Sequence, residues 1–250
     1  MVRGSGWLIC QRCLRARVLD DLALRRPPLG PRGQSLGPIP ERRLGAGKQR
    51  LAAQLSNPAR ARLNAWLLTH TIRVLRAAIA DDEACIVVSP DPAALGLARV
   101  HGVGGVREPS GCGLNAGLAM ARPLAPQERA VGLLVVPVDL PLLDATSAAE
   151  LVAAARAAVS DNAMLIVPDR AGAGTNALAV PAPAAFEFAF GPGSFQLHYE
   201  AAARADLSVR RQSIPALAFD LDHPTDFSAW TGRADFPAAL ADLGFTRASD

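Results

Sequence analysis

The residues of this chain best placed to do chemistry are carboxylates that stand where apolar runs stop. Asp139 closes the run GLLVVPV at 132–138. A carboxylate at the end of a buried strand is costly unless it is paired or holds a metal ion; the alternative is an Asp capping the turn that begins at Leu140-Pro141. Asp220 and Asp222 sit two apart at the close of a second apolar run, 216–221, which reads as a strand. In a strand both would face one side and repel each other. A hard divalent cation relieves that repulsion, and Mg²⁺ typically takes one or two carboxylates plus substrate phosphates. Asp226, just after Pro224-Thr225, reads instead as an acidic residue in the first turn of a C-terminal helix.

The chain carries 25 arginines and a single lysine, Lys48. An ammonium is a compact point charge on a flexible stem, suited to phosphate oxygens in a way a guanidinium is not. Two glycine-bearing loops add backbone donors. One, GAGTN at 172–176, lies just before an apolar run; the other, GPGSFQLH at 191–198, opens a helix. Exposed N–H groups at such places bind anions. His198 reads either as a ligand for an acceptor's phosphate or as a satisfied, partly buried histidine. Cys10 and Cys13 have CxxC spacing but no second pair, which does not make a zinc site. Cys85 and Cys112 read as small core or loop residues. No GxGxxG opens a βαβ unit, and neither a Walker lysine nor a GxSxG elbow is present, which argues against dehydrogenase, P-loop and α/β-hydrolase chemistry.

Strands alternating with helices must position these groups. Residues 84–89 read as a buried strand, 91–100 as a short helix, 102–106 as the opening of a strand and 115–121 as a helix. Residues 131–138 form the strongest strand pattern, followed by an Ala-rich helix at 145–160, a strand at 163–168 and another at 176–180. A long helix starts after Ser56, with Asn57 as its cap, Pro58 in its first turn, and Leu63, Trp66, Leu67, His70, Val74 and Leu75 facing the core. This alternation predicts an α/β fold with a mostly parallel, mixed sheet covered by helices on both faces, its ligands beyond the strands' carboxyl ends.

In the 250 residues, hydrophobic types make up 50% and charged types 20%, enough to build a core and exclude global disorder. No apolar run reaches the roughly 18 residues of a membrane span, and the N-terminus lacks the apolar core of a secretory signal. The expectation is a soluble, cytoplasmic protein. Residues 1–50 hold a net charge of +8 and the remainder −5. A basic arm without aromatic interleaving or a binding motif does not indicate nucleic acid. Residues 25–40 are dense in Pro, Gly and Arg, so 1–35 reads as a basic N-terminal extension and 36–250 as the main domain.

Taken together, Lys48-Gln49-Arg50-Leu51, Ile86-Val87-Val88-Ser89, Gly113-Leu114-Asn115, Val138-Asp139-Leu140-Pro141, Gly174-Thr175-Asn176-Ala177-Leu178, Phe190-Gly191 with Ser194-Phe195 and His198, and Asp220-Leu221-Asp222 with Pro224 and Asp226 resemble the 2-phospho-L-lactate and phosphoenolpyruvate guanylyltransferases of coenzyme F-420 biosynthesis. The resemblance implies a nucleotidyltransferase-like fold of the nucleotide-diphospho-sugar transferase type, and transfer of GMP from GTP to a small phospho-carboxylic acid with release of pyrophosphate. By position it implies that Lys48 and Arg50 clamp the GTP phosphates and that Ser89, Gly113 and Asn115 face guanine and ribose. Asp139, Asp220 and Asp222 would hold Mg²⁺, with Lys48, Arg50 and Asp139 at the reaction centre. Thr175, Gly191 and Ser194 would receive the acceptor's phosphate and carboxylate. The expected partners are GTP and the phosphorylated acid, with a homodimer allowed and neither nucleic acid nor membrane.

The family opens with an apolar strand running directly into its lysine loop. Here the aligned segment, 36–44, carries two prolines, whereas the more strand-like 7–10 would demand a loop of more than 30 residues before Lys48. An altered first strand leaves open a nucleotide-binding homologue with impaired turnover, or a nucleotidyltransferase with a different acceptor.

Overall fold

The computed structural model describes residues 7–13, 48–79, 84–108, 113–121, 130–182 and 184–241. The apolar runs become strands β1 (Trp7–Cys13), β2 (Ala84–Ser89), β3 (Gly104–Arg107), β4 (Ala130–Pro137), β5 (Ala163–Pro168), β6 (Thr175–Pro181) and β7 (Ser208–Arg211). The helices are α1 (Asn57–Ala78), α2 (Pro92–Val100), α3 (Leu114–Ala121), α4 (Ala145–Ser160), α5 (Ser194–Arg204) and the short α6 (Pro215–Ala218), α7 (Pro224–Thr231) and α8 (Ala238–Ala241), with a 3-10 turn at Gln49–Leu51.

All seven strands form one sheet in the order β3-β2-β1-β4-β6-β5-β7. Period-two alternation divides its residues between two faces. Val87, Leu134, Val136, Leu165, Val167, Ala177 and Ala179 pack against Leu68, Ile72 and Leu75 of α1, Ala94 and Ala98 of α2 and Leu151 of α4. Ile86, Val88, Leu133, Val135, Met164, Ile166, Leu178 and Val180 pack the other way, on Leu118 of α3 and on Ala201 and Ala202 of α5. A satellite cluster of Leu51, Leu55, Leu63, Leu67, Leu221, Phe227 and Trp230 closes the end of the molecule where α1 meets α7. The chain is therefore α/β with helices on both faces.

The pairing of neighbours corrects the expectation of a mostly parallel sheet. Only β2–β3 and β5–β7 pair in parallel. β1 runs antiparallel to both β2 and β4, and β6 antiparallel to both β4 and β5. For β6 the cause is local, since β5 and β6 are joined by a hairpin whose tip is folded on Asp169: its N–H donates to Gly174 O at 3.2 Å and its Oδ1 accepts from Ala173 N–H at 2.9 Å. Strands β2, β3, β4, β5 and β7 still point one way, so their carboxyl ends share an edge with the amino end of β6.

Three further expectations change. The residues at 216–221 are not a strand: Pro215 starts a helical turn, and the chain then runs irregularly through Asp220 and Asp222. Ser56, not Asn57, caps α1, its Oγ accepting from Ala59 N–H at 3.3 Å, with Asn57 already inside the helix. The strand-like segment at the N-terminus enters the sheet as β1, although the sequence reading assigned it to an extension. The alternative first strand at 36–44, the Pro/Gly/Arg-rich stretch, the domain boundary at 35–36 and Cys112 lie outside the described residues.

Packing of β4 on its neighbours leaves no room at Gly132. A Cβ there would stand 2.6 Å from Val159 Cγ2 and 3.0 Å from Val180 O. Gly132→Ala is expected to destabilise the fold by about 1–3 kcal/mol through overpacking, read as a Tm lower by several degrees in thermal unfolding. An unchanged Tm would contradict this packing.

Candidate active site at the strand ends

The edge where β2, β4 and β5 end and β6 begins collects the chemistry. Asp139 follows β4 and is buried. Its carbonyl accepts from Leu221 N–H at 3.1 Å, which ties the irregular 219–222 segment to the end of β4. Lys48 closes the same junction. Its Nζ donates to Leu221 O at 2.5 Å and lies 3.5 Å from Asp139 Oδ2, with only 6% of its side chain exposed. Lys48 holds a left-handed φ of 50°, unusual for a residue with a side chain. Arg50, one turn on, is exposed and contacts Asp222 at 3.7 Å and His223 Nε2 at 3.3 Å.

Asp139, Asp220 and Asp222 lie within electrostatic reach of one another. Burial, then repulsion from Asp139 and Asp222, pushes the Asp220 carboxyl up to about 7. Asp222 is raised by partial burial and by Asp139, with Lys48 and Arg50 pulling it back. Among the described residues no three such side chains stand close enough to enclose a metal ion by themselves. The donor set is nonetheless all hard oxygen and electrostatically frustrated. That suits Mg²⁺, which completes its shell with water and substrate phosphates rather than an all-protein cage.

Asp226 behaves as its sequence position predicts. It accepts from His223 N–H at 2.8 Å in the first turn of α7 and pairs with Arg170 at 2.8 Å. Burial raises its pKa, but the Arg170 guanidinium and the His223 N–H outweigh this and hold it below the usual carboxylate range.

Facing this acidic junction are the two glycine loops. Thr175, first residue of β6, is buried. Gly191 and Gly193 adopt φ of 136° and 72°, backbone that glycine supplies without strain, and they turn the chain into α5. The loops are joined directly, Phe195 N–H donating to Ala173 O at 3.1 Å. Ser194, also buried, starts α5 at this contact.

Ser89 ends β2 and is buried; its Oγ accepts from Asp91 N–H at 3.1 Å, leaving the hydroxyl hydrogen available. Gly113, with φ of 78°, precedes α3 and is exposed. Asn115 makes a contact the sequence did not suggest. Its Nδ2 donates to Phe190 O at 3.1 Å and its Oδ1 accepts from Phe190 N–H at 2.9 Å, so α3 grips the loop that carries Gly191.

His198 is fully buried, with Nδ1 3.0 Å from Thr175 Oγ1 and Nε2 accepting from Ala189 N–H at 3.0 Å. Of its two sequence readings, the satisfied buried histidine is the one found. Sequence reasoning missed Arg170, hidden among many arginines, although it also stacks its guanidinium on Phe219 at 5.6 Å beside the acidic segment. It also missed the brace from Asn176 Nδ2 to Leu217 O at 2.7 Å, which fixes the chain leading to Asp220. An Asn following a β-strand's first residue gives no pattern that would single it out. Cys85 is buried, its thiol pushed up to about 12. No helix among the described residues is long and apolar enough to cross a membrane.

The chain belongs to the guanylyl transferases described as CofC-like, whose model matches residues 38–229. Curated relatives carry a more particular name. A phosphoenolpyruvate guanylyltransferase of Rubrobacter xylanophilus is 42% identical over 190 residues, covering 76% of this chain and 90% of the relative. The enzyme of that name from Sphaerobacter thermophilus is 39% identical over 206 residues, covering 82% and 97%. That of Rhodococcus erythropolis is 32% identical over 214 residues, covering 80% and 91%.

Replacing Asn115 by Leu removes the two hydrogen bonds that its side chain makes to the Phe190 backbone. Asn115→Leu is expected to cost about 1–3 kcal/mol and to speed hydrogen exchange at the Phe190 amide. Unaltered exchange there would mean that the loop is held by other contacts.

Proposed function

We propose that this protein transfers GMP from GTP to the phosphate of phosphoenolpyruvate, releasing pyrophosphate and supplying a guanylated diphosphate to coenzyme F-420 biosynthesis. An oxygen of the acceptor phosphate attacks the α-phosphorus of GTP. The bond from that phosphorus to the oxygen bridging it to the β-phosphate breaks, and pyrophosphate leaves with the electron pair. The nucleophile is already anionic near neutral pH, so no strong general base is needed. The difficulty is bringing two polyanions together, which positioned cations and N–H dipoles overcome.

The observation that carries this reading is the junction at Lys48, where the chain's single lysine meets the carboxylate after β4 and the acidic 220–222 segment. It stands at the sheet edge that also bears the two donor loops. An ammonium has three donors; Asp139 and Leu221 O take two, leaving one for the triphosphate. Arg50, held beside Asp222, is exposed and free to swing onto phosphate oxygens. Ser89, Gly113 and the first turn of α3 bound the nucleoside side. Asn115, through its grip on Phe190, ties that side to the loop that carries Gly191. Thr175, Gly191 and Ser194 present the acceptor side.

Asp139, Asp220 and Asp222 are the residues that would hold Mg²⁺. Bound there, such an ion would relieve the mutual repulsion of these carboxylates and stabilise negative charge on the phosphates. The names of the relatives favour phosphoenolpyruvate over 2-phospho-L-lactate or 3-phosphoglycerate as acceptor.

Pyrophosphate release from GTP with each of these three acids tests the reading. Release with phosphoenolpyruvate is expected, and none with any acid would overturn it. Asp139→Asn should abolish release while the protein stays folded by circular dichroism; turnover at the wild-type rate would remove Asp139 from the centre. Lys48→Ala should weaken GTP binding by about 1.5–3 kcal/mol, one charge-assisted contact, measured by calorimetry. An unchanged Kd would place Lys48 outside the nucleotide site.

A further inference from the structure

The hydrogen bonds around His198 determine which way the Thr175 hydroxyl points. A backbone N–H can only donate, so the contact from Ala189 N–H requires a lone pair on His198 Nε2. In a neutral imidazole the ring proton then sits on Nδ1, and Nδ1 donates to Thr175 Oγ1 at 3.0 Å. The surroundings keep the ring neutral: it has no exposed surface, and the rings of Phe190 and Phe186 lie with centroids 4.7 and 5.9 Å away. Burial pushes its pKa down to about 4. Thr175 Oγ1 thus accepts from His198 and has no other hydrogen-bond partner among the described residues, so its own hydrogen is directed away from the imidazole.

We propose that His198 is a positioning residue that makes Thr175 a hydrogen-bond donor toward the anionic acceptor, acting without touching the substrate itself. The opposite tautomer would draw the threonine hydrogen onto Nδ1 and turn oxygen lone pairs toward the acceptor's phosphate or carboxylate, which repels it. Phe190, whose ring packs on His198, is also the residue gripped by Asn115. The same contacts therefore set the loop's position and the hydroxyl's polarity. This inference rests on Thr175 serving the acceptor side, as in the proposed function.

Two substitutions separate the imidazole's two roles. In His198→Gln the amide reaches the Nε2 position and keeps an acceptor for Ala189 N–H, but the donor to Thr175 is lost. In His198→Asn the amide stands near the Nδ1 position and keeps that donor. His198→Gln should raise KM for phosphoenolpyruvate about tenfold or more with KM for GTP changed less than about twofold, whereas His198→Asn should stay near wild type in both. In a Thr175→Val background His198→Gln should add nothing further. Equal losses from the two histidine variants, or a full His198→Gln penalty in the valine background, would overturn the proposal. Nitrogen-15 NMR of histidine-labelled wild type reads the tautomer directly: a proton on Nδ1 is required, and one on Nε2 overturns the proposal whatever the activity. If the wild-type protein releases no pyrophosphate with any acid, the proposed function fails, and the tautomer still decides the role of His198.

Discussion

Repulsion among carboxylates is the constraint on which this structure turns. Asp139, Asp220 and Asp222 are drawn from two segments far apart in sequence and held in mutual range by Leu221 N–H on the Asp139 carbonyl and by Asn176 on Leu217. The molecule answers with Lys48 and Arg50. The Asp220 carboxyl, pushed up to about 7 by its burial first and by Asp139 and Asp222 after that, marks where the answer is incomplete. A site left in this condition favours any ligand that brings a cation with it, as magnesium nucleotides do.

The part of the edge that carries the two glycine loops is built on the opposite principle, with neutral donors held rigidly rather than charges held in tension. The β5–β6 hairpin and the start of α5 are stitched by Phe195 N–H to Ala173 O, and the loop before α5 is gripped from α3 by Asn115. Preorganised dipoles of this kind need no reorientation when an anion arrives. Because α3 also packs on β2, which ends at Ser89, and follows Gly113, that end of β2 and the loop that carries Gly191 share one mechanical support. A shift in either is felt by the other.

Where period and burial coincide, the elements were legible in sequence. The strands at Ala84–Ser89 and Ala163–Pro168 and the helix at Ala145–Ser160 lie where alternation and Ala-rich periodicity place them. β7 was not legible, because Ser208–Arg211 is short, half charged and on an edge. The residues at 216–221 misled because an apolar run after a turn suits a buried helical turn as well as a strand, and Pro215 decided it. The spacing of Asp220 and Asp222 pointed to a shared acidic locus for the wrong reason, since irregular backbone rather than strand alternation brings them there. Asn115 and His198 show the limit of residue-type reasoning. Each is a polar side chain whose partners are backbone groups or residues of other elements, and only the tertiary fold reveals them.

The two outer strands of the sheet have a bearing on how copies of this protein could meet. β3 ends in Arg107 on one margin, while β7 brings Arg210 and Arg211 to the other. Arg210 is paired with Asp161 and Arg211 lies over the Phe195 ring, so these charges are anchored beside the strand they flank, and charged edge strands resist the addition of a further strand. Edge-to-edge growth of the sheet is therefore disfavoured at both margins.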